Sequence, residues 1–131
     1  MYHLPHDHGE KENIENIANV LQNVENFQII ADVFKLMGDS SRIRIFWLLC
    51  HMEECVANIA AMMNMSSPAV SHHLKALKAG RLILSRREGK EVYYRAADTT
   101  ESRLLHHMIE KVMAITCPEQ DPVAINRKRV L

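Results

Sequence analysis

The feature that most constrains the fold is a pair of short amphipathic segments joined by a tight turn. The first, "VANIAAMM", repeats apolar residues at helical spacing, and "NMS" separates it from a second segment that runs from about Ser67 to Ala79. Ser66 or Ser67 can cap the second helix, and Pro68 fits its first turn, where a missing N–H costs nothing. Gly80 suits the helix end. Two such helices predict a helix-turn-helix.

A basic hairpin follows this helix pair directly. "LILSRR" and "EVYYRA" predict two strands, and "EGK" provides a short turn with a glycine, which accepts a positive φ. Residues 71–95 contain seven lysines and arginines against two glutamates, although the net charge of the whole chain is zero. The order of these elements predicts a mainly α fold with a small β-hairpin (α+β), the winged helix-turn-helix.

Further apolar stripes predict helices on both sides of this motif. One helix, or two with a break, is expected between Ile14 and Val24, and another between Ile29 and Met37. The segment "RIRIFWLLCHM" is too densely apolar for a surface helix, so most of it should be buried. Asp98 or Thr99 is predicted to cap the start of a last helix. The predicted organisation is a flexible, His-containing arm (1–12), one domain for DNA binding and dimerisation (13–116) and a tail (117–131).

Composition and missing motifs exclude several classes of protein. The 131 residues suit one domain, no apolar run is long enough to span a membrane, and the start of the chain lacks a signal pattern, so a cytoplasmic protein is expected. Three irregularly spaced cysteines argue against a disulfide framework and leave thiols for metal or redox chemistry. The chain contains no His-Glu-x-x-His, glycine-rich phosphate loop or Cys-x-x-Cys, so it is not expected to be an enzyme.

The helix-turn-helix and its wing predict binding to double-stranded DNA. In this arrangement the second helix enters the major groove, while cations of the wing contact phosphates or the minor groove. His73 flanks the inward stripe of Val70, Leu74 and Leu77, so it should back onto the core, whereas His72 should face outward. A solvated helix face is the alternative interpretation. The predicted DNA-binding residues are Ser66, Ser67, Ser71, His72, Lys75, Arg86, Arg87 and Lys90.

The segments "FKLMGDSSRIRIFWLL" and "EECVANIAAMMNMSSPAVSHHLKALKAGRLILSRREGKEVYYRAAD" resemble the core of the ArsR/SmtB family of bacterial winged-helix repressors that sense metals or redox signals. The resemblance covers about residues 29–114. It implies a homodimer whose first and last helices form the interface, with each recognition helix reading half of a palindromic operator. It also implies a repressor that a metal ion of the zinc, cadmium or lead class releases from its operator.

The resemblance points to one leading metal site. Many metal sensors of the family carry a Cys-x-Cys at the start of the helix before the turn, and the matching positions here are Cys55 and Ala57, so only the first thiol is present. Those sensors often complete the site from the N-terminal arm. Zinc or cadmium accepts a thiolate together with imidazoles and a carboxylate. The predicted ligands are Cys55, His6 and His8, with His3 or Asp7; a mobile tail beside an ordinary buried cysteine is the alternative.

A second metal site is expected only in altered form. Zinc and nickel sensors of the family place an Asp-x-His and a His-x-x-His/Glu pair on the last helix. Asp98 matches the first aspartate, but the other three positions hold Thr100, Lys111 and Ala114. A displaced site would use Asp98 with His107 and Glu110, which are three residues apart, and His106 stands four residues before Glu110. An interface or surface role is the alternative.

Two alternative interpretations of the function stay open. Some family members sense persulfide or oxidants through one cysteine on the helix before the helix-turn-helix and another on the last helix, and Cys50 and Cys117 lie in those elements about one turn beyond the matching positions. This chemistry requires an accessible thiolate near a partner thiol. The other alternative is a winged-helix regulator without any effector.

Overall fold

The computed structural model describes residues 4–6, 8–9 and 13–117. The chain divides into two compact units, Met1–Lys35 and Leu36–Leu131. His3 and Asp7 of the predicted metal site, and residues 118–131 of the predicted tail, lie outside the described residues.

The first unit contains helix α1, Ile14–Leu21, and nearly all of helix α2, Val24–Leu36. The break between them was one of the predicted alternatives, but α2 begins at Val24 rather than near Ile29. Neither helix has a buried residue. Because such large apolar faces are costly to leave in water, they are typical of surfaces that contact another chain. The exposed apolar side chains are Ile17, Val20, Leu21, Val24, Phe27, Ile29, Ile30 and Phe34.

Helix α3, Ser40–His51, supplies much of the core of the second unit. It begins where Asp39 accepts a hydrogen bond from the backbone N–H of Arg42 over 3.0 Å. This bond favours the charged carboxylate, so it lowers the pKa of Asp39. The dense apolar pattern correctly predicted burial, and the buried residues are Ile45, Phe46, Leu48 and Leu49.

The predicted helix-turn-helix consists of α4, Val56–Met63, and α5, Ser67–Ala79. Ser66 caps α5 by accepting a hydrogen bond from the N–H of Ala69 over 3.2 Å. Gly80 follows α5 with an ordinary φ of −77°. A glycine fits there for steric reasons, since an added Cβ would lie 2.5 Å from Cδ2 of Leu36. The core contacts of the two helices come from Ile59, Ala60, Met63, Val70, Leu74 and Leu77.

The wing belongs to a three-stranded antiparallel sheet rather than to an isolated hairpin. Strands β2, Ile83–Glu88, and β3, Glu91–Ala96, are joined by a two-residue turn in which Gly89 has a φ of +62°. The sequence did not predict β1, Glu54–Cys55, which pairs with the other edge of β3 and gives the strand order β1-β3-β2. A strand of two residues carries too few positions to show the alternation from which strands are predicted.

Helix α6, Thr100–Thr116, closes the described chain. Thr99, one of the two predicted caps, accepts a hydrogen bond from the N–H of Ser102 over 3.2 Å. The buried hydroxyl of Ser102 donates to the carbonyl of Leu82 over 2.9 Å. Helix α3 packs against both α5 and α6. Apolar side chains exposed on α6 are Leu104, Met108, Val112 and Ile115.

None of the helices in residues 13–117 is both long enough and apolar enough to cross a membrane.

Candidate nucleic-acid interface and metal centre

The outward side of α5 is polar, as the sequence predicts. All five predicted DNA contacts at its start and along its first turns are exposed: Ser66, Ser67, Ser71, His72 and Lys75. The neighbouring His73 is half-buried, and its Nδ1 atom is buried without a hydrogen-bond partner among the described residues. The two adjacent histidines therefore occupy different environments, in agreement with their expected orientations.

The wing presents two exposed cations close to its tip. Arg87 is the second-last residue of β2, and Lys90 lies in the turn. Both are exposed, and within residues 13–117 neither forms an ion pair. A third cation, Lys78, donates to the hydroxyl of Ser85 over 2.7 Å and so links the last turn of α5 to β2. The wing and the last turn of α5 thus present positive charge beside the polar face of this helix.

Arg86 differs from the other predicted wing contacts because its guanidinium is already engaged. Its Nε donates to Glu53 Oε1 over 2.8 Å, its Nη1 donates to Glu88 Oε2 over 2.7 Å, and its Cζ lies 4.8 Å from the centre of the Tyr93 ring. The hydrogen bond from Arg86 lowers the pKa of Glu53, and the two carboxylates raise the pKa of Arg86. A phosphate contact by Arg86 would have to compete with these bonds.

The residues of the leading predicted metal site fall in different units. Cys55 ends β1 and precedes the first residue of α4, and it is 8% exposed. In the first unit, the rings of His6 and His8 are stacked with their centres 5.9 Å apart. This site stays a prediction, because the remaining residues proposed for it, His3 and Asp7, lie outside the described residues.

The displaced site on the last helix has a different membership from the predicted one. Glu110 meets His106, four residues earlier on α6, rather than His107, which is exposed. Asp98 forms an ion pair with Arg103 instead of facing Glu110. The i,i+4 pair meets because residues four apart lie on one face of a helix.

A third side chain, His51 at the end of α3, completes this group. Its Nε2 lies 3.2 Å from Nε2 of His106 and 3.3 Å from Oε1 of Glu110, while His106 Nε2 lies 2.7 Å from the same oxygen. The three ligand atoms lie within 4.8 Å of one another. His51 also contacts Trp47, with ring centres 4.3 Å apart. Two imidazoles and one carboxylate are a donor set that suits zinc.

Sequence reasoning missed His51. The 55 residues that separate it from His106 leave no spacing rule to connect them. The available signals were local: a histidine in the last turn of α3, where the helix dipole favours positive charge, and the spacing of His106 and Glu110 on α6.

The three cysteines have different environments. Cys50 is half-buried on α3; burial raises the pKa of its thiol to about 12, with a further contribution from the charge of Glu110. Cys55 is buried. Cys117 is exposed after α6, and its Sγ lies 3.6 Å from the hydroxyl oxygen of Thr116. A high pKa works against the reactive thiolate that redox sensing by Cys50 requires.

Comparison with known proteins identifies the family. Residues 39–85 match the model described as "Bacterial regulatory protein, arsR family". A transcriptional repressor SmtB homolog from Synechocystis sp. is 37% identical over 87 residues, which are 66% of this chain and 66% of the relative. A cadmium resistance transcriptional regulatory protein CadC homolog from Staphylococcus aureus is 35% identical over 82 residues, 62% of this chain and 68% of the relative.

A solved structure supports the same assignment. The solution structure of a homodimeric winged helix-turn-helix DNA-binding domain from Mycobacterium bovis, a possible ArsR-family transcriptional regulator, matches with a TM-score of 0.64 and 27% identity, covering 85% of this chain and 94% of that one. The predicted fold is confirmed. The matched proteins are transcriptional regulators and not enzymes, which agrees with the prediction from the sequence. The chain belongs to the arsR family of bacterial regulatory proteins.

Proposed function

We propose that this protein is a homodimeric, sequence-specific DNA-binding repressor that a metal ion of the zinc or cadmium class releases from its operator. The observation that carries the proposal is the exposed polar face of α5 beside the cations of the wing. Helix α5 projects short hydrogen-bonding side chains from its first turns, where recognition helices contact base edges. A DNA-binding repressor acts where the DNA of a bacterial cell lies, so the cytoplasm is the proposed location.

Different residues of this surface serve different parts of recognition. Ser67, Ser71 and His72 are placed to contact base edges, because they are exposed near the start of α5. Lys75, Arg87 and Lys90 are exposed cations that suit phosphates, and such contacts strengthen binding to any sequence. Arg86 orients the wing through its bonds to Glu53 and Glu88.

Dimerisation would cover the apolar faces that a single chain exposes. The faces of α1 and α6 each carry several large exposed apolar side chains. The matched domain from Mycobacterium bovis is homodimeric, which supports the same assembly here. A dimer would present two α5 helices to two half-sites of one DNA duplex.

Metal regulation is supported by the cadmium resistance regulator among the relatives and by the histidines and thiols of this chain. The site predicted at Cys55, His6 and His8 is one proposed location. The thiol-based alternative is weaker because the pKa of Cys50 is raised to about 12.

The test is selection of binding sites from random duplex DNA, followed by fluorescence anisotropy on the selected sequence. We expect a palindrome whose half-sites are about one helical turn apart or a multiple of it. Affinity should fall steeply with salt, since bound phosphates release counterions. A Ser71→Ala/His72→Ala variant should lose sequence preference, whereas Glu101→Ala, a control in the first turn of α6, should not.

Two results would contradict this assignment of the DNA surface. Either the selection enriches no sequence, or the Ser71→Ala/His72→Ala variant binds the selected DNA as tightly as wild type does. Adding zinc or cadmium to the wild-type complex tests the effector, and unchanged anisotropy with both metals would contradict metal release.

A further inference from the structure

We propose that His51, His106 and Glu110 form a divalent-metal site that joins α3 to α6 within one chain and takes a zinc-like ion. The regulatory consequence drawn below depends on the proposed repressor function, but the site itself does not. It differs from the predicted sites because it uses no thiol, no residue of the N-terminal arm, and neither Asp98 nor His107.

The spacing of the three ligand atoms matches the needs of zinc. Ligands held about 2.0–2.2 Å from a tetrahedral ion lie about 3.3–3.6 Å from each other. The distances from His51 Nε2 to His106 Nε2 and to Glu110 Oε1 are 3.2 and 3.3 Å. The 2.7 Å separation of His106 Nε2 and Glu110 Oε1 is a hydrogen-bond distance and would lengthen by about 0.6–0.9 Å around an ion.

The surroundings hold these side chains in place. The side chain of Glu110 is only 14% exposed, and those of His106 and His51 are 29% and 39% exposed. Trp47 packs against the ring of His51, and the rings of His51 and His106 meet edge to face with their centres 4.9 Å apart. A partly buried carboxylate flanked by two imidazoles can bind a cation with little loss of side-chain freedom.

The donor set favours zinc over other classes of metal. Magnesium and calcium prefer oxygen ligands throughout, and soft ions prefer thiolates. Three protein ligands leave a fourth tetrahedral position for water or another donor. His106 lines an open cavity of about 190 Å³ together with Cys50 and Asp98, and 39% of the His51 side chain is exposed, so solvent reaches two of the three ligands.

An ion at this position would join the elements that a regulator has to couple. His51 is the last residue of α3, which packs against the recognition helix α5, and the other two ligands lie on α6. If α6 contributes to the proposed dimer interface, fixing it to α3 changes the spacing that the two recognition helices can adopt. Coupling of this kind needs only about 1–3 kcal/mol.

Metal binding is tested directly on the purified full-length protein, in the Cys55→Ser background so that the predicted thiolate site cannot contribute. Cobalt serves as the spectroscopic probe of a tetrahedral site, and zinc competes for it. We expect His106→Gln and Glu110→Gln each to weaken metal binding by at least about tenfold. Removing a residue that only supports a metal ligand already costs about that much, so removing a ligand itself should cost no less. His107→Gln, one position along the same helix, should bind like its parent.

Two results would overturn the site: no cobalt or zinc binding in the Cys55→Ser background, or affinity that is unchanged by His106→Gln, Glu110→Gln and His51→Gln. Circular dichroism shows whether each variant folds, and glutamine keeps a hydrogen-bonding group at each position.

Anisotropy on the selected DNA separates this inference from the proposed function. If the two α6 substitutions weaken zinc binding and raise the zinc concentration needed to release DNA by a similar factor, both the site and the repressor function are supported. Metal binding without any affinity for DNA would keep the site and overturn the repressor. DNA release that persists in Glu110→Gln would keep the repressor and overturn the regulatory role of this site.

Discussion

Arg86 of β2 and Glu53, which precedes β1, are joined by a hydrogen bond of 2.8 Å from Nε to Oε1. The bond ties the wing to the segment between α3 and the helix-turn-helix. Sequence reasoning placed Arg86 among the DNA contacts together with Arg87, yet adjacent residues of a strand point to opposite faces. The two arginines are therefore expected to respond differently to substitution.

We predict that Arg87→Ala weakens DNA binding and lowers the slope of log affinity against log salt by about one, the effect of losing one phosphate contact. Arg86→Ala should mainly lower the melting temperature, because it removes the bonds of Arg86 to Glu53 and Glu88 and leaves Glu53 only the longer ion pair with Arg95, at 3.9 Å. Anisotropy titrations at several salt concentrations and thermal unfolding measure the two effects. If Arg86→Ala instead lowers the salt slope by about one and leaves the melting temperature unchanged, the Arg86 guanidinium must leave the carboxylates to contact DNA.

The same ion pair predicts a pH-dependent stability. The hydrogen bond from Arg86 lowers the pKa of Glu53 below the ordinary value of 4.5. A carboxyl group with a lowered pKa in the folded state stabilises the protein above its unfolded pKa, and this contribution is lost as the pH falls through the folded value. Glu53→Gln should therefore be less stable than wild type at pH 7, and the difference should shrink as the pH falls below about 4.5.

Urea unfolding of wild type and Glu53→Gln at pH 7, 5 and 3.5 measures this difference. Glu88→Gln is the control for loss of a carboxylate at the more exposed partner of the same arginine. A stability difference between wild type and Glu53→Gln that stays constant over this pH range would contradict the role of the ion pair.

Leu74 on α5 is 1% exposed, although it lies between the half-buried His73 and the exposed Lys75. We predict that Leu74→Ala destabilises the fold by about 2–5 kcal/mol, because it leaves a cavity beneath the recognition helix. Urea denaturation followed by circular dichroism measures the loss. Lys75→Ala, the exposed neighbour, should change stability by less than about 0.5 kcal/mol. Similar losses in both variants would mean that α5 does not pack through the Val70, Leu74 and Leu77 stripe.

The thiols should differ in reactivity. At pH 8 a thiol with a pKa of about 12 is ionised on the order of one part in ten thousand. We therefore expect iodoacetamide to modify the exposed Cys117 at least about tenfold faster than Cys50. Mass spectrometry of peptides after timed quenching measures the rates, and modification in urea is the control in which the difference should disappear. Equal rates in the native protein would restore Cys50 as a redox-sensing thiol.

The local elements of this protein were predictable because their signals lie within a few residues. Apolar spacing, the Ser66 cap and Pro68 define α5, and Gly89 in the turn between two strands defines the wing. The orientations of His72 and His73 followed from the position of each on the 3.6-residue helical repeat. The family resemblance rested on two continuous segments, 34–49 and 53–98, and the matched residues 39–85 overlap both of them.

Contacts between segments far apart in the sequence could be identified only from the folded structure. Strand β1 exists because Glu54 and Cys55 pair with Tyr94 and Tyr93 of β3. The bond from Arg86 to Glu53 spans 33 residues, and that between His106 and His51 spans 55. The sequence by itself determined which helices and turns form, since these depend on local propensity and capping. Only tertiary packing decided which polar side chains meet, because α3 and α6 bring together residues whose separation along the chain carries no periodic signal.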